Sequence, residues 1–266
     1  MGAPTEGLGF LKDWKSVIGY IEREALSINT QKNLYIALKS TLRDLRDPDL
    51  KEAEEQYTKK MLEFRDEHNK IAAQQLLSPR EEELWVEWQG IASAMEPLRQ
   101  SVSTHWELQD FIIYCLYVLQ PPTRLDYAPM RVVGSSQELT ECSGNVLIWD
   151  DRPQFCFREY KTSKKYGTVF LDVPPALQEE LAEWLELNQS GWLLCNRDGD
   201  PMDEAGLVAA IRRVFKKAVG KPLGVNMLRH SYVSYMRRGE PTYLAQQDMA
   251  KSMMHSPAMS VLYRKL

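Results

Sequence analysis

Apolar residues recur at helical spacing through the first hundred positions. Leu11, Trp14, Ile18 and Ile21 make one stripe, and Leu34, Leu38, Leu42 and Leu45 make a second with Thr30 as its candidate N-cap. Asp47-Pro48 breaks the pattern, and a long charged helix is predicted from about 49 to 77, with Tyr57, Met61 and Phe64 on its apolar side. Ser78-Pro79-Arg80-Glu81 is a capping box with proline at the first helical position, which predicts a helix carrying Trp85 and Trp88. The pattern weakens between 95 and 103, where Pro97 interrupts it. The expected boundary therefore divides a helical domain, 1–99, from a mixed domain, 100–266.

Thr104-x-x-Glu107 opens a strongly apolar helix, and Pro121-Pro122 stops it. The period then switches from 3.6 to 2. GNVLIWD, QFCFREYK and TVFLDVP are short runs rich in β-branched and aromatic residues, and they predict an antiparallel meander. Helices return at about 176–188, followed by a short WLLC strand and a helix capped by Asp203. Helices over 226–238, 242–253 and 258–264 complete the chain. The expected fold class is α+β and mainly helical, with a small antiparallel sheet in the second domain.

Composition narrows this picture only slightly. Apolar content of 44% and charged content of 26% are those of a globular protein. The longest apolar run, 111–119, is too short to span a bilayer, so no membrane partner is expected. The N-terminus lacks the basic start and apolar stretch of a signal peptide, and Glu6 stands where a myristoylation pattern wants Ser or Thr. Cys115, Cys142, Cys156 and Cys195 form no C-x-x-C pair, which argues for reduced cysteines inside a cell and against a zinc site. Net charge matters more by its distribution. The total is −4, yet residues 201–266 hold eleven Lys/Arg against four Asp/Glu, a local +7. Arg212, Arg213, Lys216 and Lys217 fall on one helix there, forming either a solvated face or a footprint for nucleic acid.

The last forty-one residues, 226–266, hold the candidate chemistry. Arg229 is a fixed cation, His255 can donate or carry a proton, and Tyr263 offers a hydroxyl. Charge stabilisation, proton transfer and a nucleophile together are what attack on a phosphodiester needs. PPTRLDY, REYKTSKKYG, NMLRHSYVS and MMHSPAMSVLY occur in the order and approximate spacing of the tyrosine recombinase family, which this chain resembles over about 100–266. The PP-x-R-x-D-Y form is closest to the family's viral and mobile-element branch.

The resemblance implies a site-specific recombinase or integrase that cuts and rejoins duplex DNA through a 3′-phosphotyrosine intermediate. Arg124 and Arg229 match the two arginines that clamp the scissile phosphate, and Asp126 falls near the acidic residue that supports the first. Lys161 matches the lysine that protonates the leaving 5′ oxygen. It is preferred over Lys164 and Lys165 because it is expected at the end of a strand, and those two are taken as DNA-binding residues. His255 matches a phosphate-contacting position and Tyr263 the nucleophile. The first domain would be the core-binding domain and the second the catalytic one. Neither a cofactor nor a metal is implied, and the partners would be double-stranded DNA and further copies of the chain, as a tetramer on paired sites. The location would be intracellular, on DNA: nuclear for a eukaryotic host or virus, otherwise cytoplasmic.

Two departures bear on this. Asn226 stands where the family most often has a histidine, and it cannot take a proton in the ordinary pH range. His230, next to Arg229, is expected to be structural rather than a replacement base. Only three residues follow Tyr263, so either a tail that docks on a neighbour is lacking or the chain is a fragment, and the tyrosine should be mobile until DNA and a second subunit hold it. Relaxation of DNA by a type IB topoisomerase-like enzyme and simple DNA binding by a degenerate relative are the alternatives.

Overall fold

The computed structural model of the 266-residue chain describes residues 8–24, 26–45 and 47–265. The Gly2 and Glu6 positions lie outside them. The chain divides into two compact units, Met1–Leu76 and Leu77–Leu266. The division falls before the expected 99/100 boundary, because the helices between 79 and 100 bury Trp88, Ile91 and Leu98 in the core of the second unit.

In the first unit, α1 (Trp14–Arg23), α2 (Ile28–Leu45) and α3 (Lys51–Gln74) close over Leu11, Ile18, Ile21, Tyr35, Leu42 and Tyr57. The first apolar stripe is buried as an amphipathic helix requires, whereas in the second Tyr35 and Leu42 are buried and Leu34 is exposed. Tyr57 is fully buried and donates its hydroxyl hydrogen to the Leu11 carbonyl at 3.1 Å. Ser27 caps α2, accepting from the Thr30 amide at 3.2 Å, so Thr30 is not the cap but the third helical residue.

The second unit opens with α4 (Pro79–Leu84), α5 (Trp88–Ser93) and α6 (Met95–Gln100). The Ser78/Glu81 capping box forms as expected, but α4 lasts six residues; Trp85 turns extended and Trp88 begins a new helix. At the centre lies α7 (His105–Val118), whose residues from Phe111 to Tyr117 are all buried. Around it pack α9 (Pro175–Leu187) and α10 (Glu204–Val219), and α11 (Val225–Arg238), α12 (Tyr243–Ser252) and α13 (Pro257–Tyr263) follow.

The three expected strands do pair as an antiparallel meander, and a further strand joins its edge in parallel, so the sheet as a whole is mixed. Its order is β1 (Met130–Val133), β2 (Asn145–Ile148), β3 (Gln154–Phe157), β4 (Val169–Asp172), with β1 parallel to β2 and the other pairs antiparallel. β1 was not foreseen: four residues carry little periodicity, and parallel pairing needs a crossover that no local turn signals. Side chains alternate as the pleat dictates. Leu147, Phe155 and Phe157 face the core around α7, while Val146, Ile148 and Cys156 close over Leu139 and Cys142 on the other side. The WLLC stretch makes only isolated bridges, at Trp192 and Cys195. Between β3 and β4 the chain forms a turn and a one-turn helix, α8 (Ser163–Tyr166).

Candidate active site

Arg124 sits in the loop that leaves α7. The proline pair stops the helix, and Tyr117 then ties the loop back by donating to the Arg124 carbonyl at 2.5 Å. Asp126 Oδ2 accepts from the Arg124 amide at 3.0 Å, and no ion pair joins their side chains among the described residues. The acidic residue therefore supports the arginine's backbone rather than its guanidinium. Burial raises the Asp126 pKa, opposed by that hydrogen bond and by the charges of Arg124 and Arg229.

Asn145 buckles this loop to the next one, and nothing in the sequence marked it. Its Nδ2 donates to the carbonyls of Asp126 and Glu159, and its Oδ1 accepts from the amides of Arg158 and Glu159, all at 2.9 Å. The side chain is 6% exposed, with its hydrogen-bonding capacity fully spent. It fixes the root of the Lys161 turn against the root of Arg124. Thr162, donating to the Met254 carbonyl at 3.2 Å, fastens the other side of that turn to the His255 segment.

Arg229 has no exposed surface. Its Nη1 donates to the Pro122 carbonyl at 2.7 Å, its Nη2 approaches the Met253 carbonyl at 3.4 Å, and Nη2 also reaches His255 Nδ1 at 2.7 Å. Burial lowers its pKa, partly countered by Tyr263. Guanidinium only donates, so His255 Nδ1 accepts and the hydrogen of the neutral ring is on Nε2. Burial, then the charges of Arg229, Arg124 and Arg237, push the His255 pKa down to about 3. His255 is thus a neutral donor at ordinary pH rather than a proton carrier. Two buried donors here, His255 Nε2 and Arg229 Nε, have no partner among the described residues. Unspent buried donors of this kind are costly and suit an anionic ligand.

Tyr263 lies inside this cluster. Its ring stacks on His255 with centroids 5.4 Å apart, the Arg229 guanidinium lies 4.7 Å from its centroid, and its hydroxyl is 3.5 Å from Arg124 Nη2. The tyrosine is 8% exposed. The terminal segment, expected to be loosely held, is packed and capped in this structure. Ser256 caps α13 with Pro257 at its first position, and the Lys265 amide donates to Ser234 Oγ at 2.8 Å. A cap, a docked ring and hydrogen bonds to His230 and Ser234 of the same chain fasten the helix.

The remaining candidates are more exposed. Lys161 is not at a strand end: β3 stops at Phe157, and Lys161 occupies the turn beyond it, lining a cavity of about 630 Å³ with Arg124, Asp126 and Arg131. Lys164 and Lys165 are exposed on α8, where Lys165 covers the Tyr166 ring at 5.0 Å. Asn226 is exposed in the first turn of α11 and lines a second cavity, about 810 Å³, with Arg124, Arg212 and His230. Arg124 borders both cavities. The basic face of α10 is partly spent on its own chain: Arg213 pairs with Asp110 at 2.6 Å and Lys217 with Glu107 at 3.4 Å, leaving Arg212 and Lys216. The structure thus brings Arg124, Arg229, His255 and Tyr263 together, sets Lys161 and Asn226 at the two flanking cavities, and keeps the other basic residues outside the cluster.

No family model and no curated protein matches the chain. Among solved structures it is similar to a XerA recombinase, at 14% identity and a TM-score of 0.46 over 72% of this chain and 58% of that one. It is also similar to the XerH site-specific recombinase bound to its palindromic difH substrate in a post-cleavage complex. That match has 14% identity and a TM-score of 0.47, over 72% of this chain and 49% of that one. A pre-cleavage XerH complex with difH matches at 13% identity and a TM-score of 0.46, over 68% and 49%. The match spans about half the length of these proteins. Among the described residues no helix is long and apolar enough to cross a membrane.

Proposed function

We propose that this chain is a tyrosine recombinase that cuts and rejoins duplex DNA. The observation that carries the reading is Tyr263, whose hydroxyl meets Arg124 and whose ring packs against both Arg229 and His255. A phenol has an ordinary pKa of about 10 and is a weak nucleophile at neutral pH, so its use demands fixed positive charge at the reacting phosphate. Two guanidinium groups supply that charge, and a buried neutral imidazole supplies a donor.

In this mechanism Arg124 and Arg229 hold the non-bridging oxygens, and His255 Nε2–H donates to one of them. Tyr263 Oη attacks phosphorus, forming the 3′-phosphotyrosine bond as the bond to the 5′ oxygen breaks. Lys161 gives its proton to that leaving oxygen, and the phenol proton goes to water or a phosphate oxygen, because Asn226 cannot accept it. Attack by a 5′ hydroxyl reverses the step and rejoins the strand. With the reading go assembly of copies on paired DNA sites as a tetramer, a location on DNA inside the cell, a DNA-holding role for the first unit, and origin in the viral and mobile-element branch that PP-x-R-x-D-Y favours.

Incubation with nicked suicide duplexes, followed by a denaturing gel, tests the reading. A DNA-linked protein band is the expected result. DNA binding with no band would instead support a degenerate DNA-binding protein, the second reading, which Asn226 favours. Strand exchange between two sites separates recombination from topoisomerase-like relaxation.

A further inference from the structure

The helix that bears Tyr263 is fastened to its own chain by groups that take no part in the chemistry above. His230 follows Arg229 on α11, and its ring lies 5.1 Å from the Tyr263 ring. His230 Nδ1 is 2.8 Å from the backbone carbonyl of Tyr263. A carbonyl only accepts, so Nδ1 carries the hydrogen and donates it there. Burial lowers the His230 pKa, outweighing that hydrogen bond, so the ring is neutral at ordinary pH and keeps this tautomer.

Behind His230 stands Glu81 of the short helix α4. Its Oε1 is 3.8 Å from His230 Nε2, and its Oε2 accepts from Lys265 Nζ at 3.2 Å and from the Ser78 amide at 2.8 Å. Burial pulls the Glu81 pKa upward, and the hydrogen bonds from Ser78 and Lys265 outweigh it, so the carboxyl ionises below its ordinary range. The same carboxylate thus caps α4, holds the lysine two residues beyond Tyr263, and flanks the imidazole that grips the Tyr263 carbonyl. Ser234, 2% exposed, adds the hydrogen bond to the Lys265 amide.

We infer that His230 is a positioning residue that seats the tyrosine nucleophile in cis, with Glu81 holding the same segment through Lys265, on the protomer that carries it and before any DNA or second copy arrives. The inference rests on the reading of Tyr263 as the nucleophile. A single donor on the last carbonyl of α13 sets how far the helix end can swing, and therefore where the hydroxyl sits relative to Arg124. Placement errors of about 1 Å at a reacting atom can cost as much as ~10²-fold in rate.

The test uses the full chain and two independent readouts. The first is amide hydrogen exchange of the segment 257–265 without DNA. His230→Leu should speed exchange about tenfold, the size expected for losing one well-made hydrogen bond. His230→Asn, whose side-chain amide can occupy the Nδ1 position and donate, should restore most of the protection. Glu81→Gln keeps the capping box but loses the charge toward Lys265, and should shift exchange in the same direction by less. This variant keeps the test decisive if His230→Leu folds poorly. The second readout is the rate of covalent adduct formation at saturating suicide duplex. There His230→Leu should be slowed about tenfold with DNA affinity unchanged, and His230→Asn should recover most of the loss. The proposal is overturned if His230→Leu and Glu81→Gln both exchange like the parent, or if His230→Asn is as impaired as His230→Leu. If the parent forms no adduct while His230→Leu still loosens the segment, the nucleophile reading fails and the cis fastening stands.

Discussion

Arg229 and Lys161 carry the same charge in the proposed mechanism and have opposite surroundings. The guanidinium has no exposed surface and is held by Pro122, Met253 and His255. The ammonium stands on an exposed turn, fixed only at its root by Asn145 and Thr162. A group that stabilises charge at one point gains from rigid, dry surroundings, where its interactions are strongest and need no reorganisation. A group that delivers a proton must still reach the leaving oxygen, and a long side chain on an open turn keeps that reach. The arginine cluster is therefore part of the fold, whereas the lysine is an attachment to it.

The sharpest way to break the comparison is to remove one member of each kind. Arg124→Ala and Arg229→Ala should each lower the cleavage rate by about 10²–10³, as loss of an oxyanion donor does. Only Arg229→Ala should also cost fold stability, on the order of 3 kcal/mol, because it strands buried acceptors. Thermal or denaturant unfolding of the two variants separates them, and equal stabilities would remove the claim that Arg229 is structural as well. Lys161→Ala should lose about 10²-fold in cleavage without loss of stability, and a substrate with a sulfur leaving group at the 5′ position should restore the rate, since a thiolate leaves without a proton. Lys164→Ala and Lys165→Ala should leave the rate unchanged. If either behaves like Lys161→Ala, the assignment of the acid moves along the turn.

The neutral histidine gives a smaller effect with a definite sign. With a folded pKa of about 3 against an ordinary 6.5, His255 binds its proton in the unfolded chain first. Stability should therefore fall as pH drops from 6.5 toward 5, by at most about 1.4 kcal/mol per unit from this group. His230, also depressed by burial, adds to the same slope. His255→Asn, which keeps an acceptor for Arg229, should flatten the slope; an unchanged slope would show that the buried ring is not what titrates.

The smallest expected effect concerns α10. Neutralising Arg212 and Lys216 should lower the slope of log affinity against log salt by about one for each phosphate that they pair with. Neutralising Arg213 and Lys217 should do less, because those two already pair with Asp110 and Glu107. Such exposed pairs contribute only about 0.2–1 kcal/mol each to the fold. Equal changes from both substitutions would mean that DNA pulls the pairs apart.

Much of the second unit was legible where a signal is local. Ser78-x-x-Glu81, Thr104 and Asp203 cap the helices their spacing announced, and the proline pair ends α7 where expected. The four members of the cluster could be named because each sits in a short motif. What could not be read depends on contacts distant in sequence. β1 pairs in parallel across a crossover, and α5 and α6 join the second unit by packing that the weakened apolar pattern near Pro97 concealed. Asn145 looks like any turn residue until four backbone groups from two loops converge on it. The seating of the terminal helix is hidden for the same reason: its anchors, Glu81, His230 and Ser234, lie 31 to 184 residues away from their partners.

If Tyr263 is the nucleophile of a phosphodiester transfer, as proposed, the covalent bond to DNA forms on it, and the site of that bond can be mapped. The parent chain is trapped on a suicide duplex, digested, and the nucleotide-bearing peptide identified by mass. The account predicts the adduct on Tyr263, with Tyr263→Phe giving no band while still binding DNA. An adduct on Tyr232, Tyr235 or Tyr243, or a band that survives Tyr263→Phe, would contradict it.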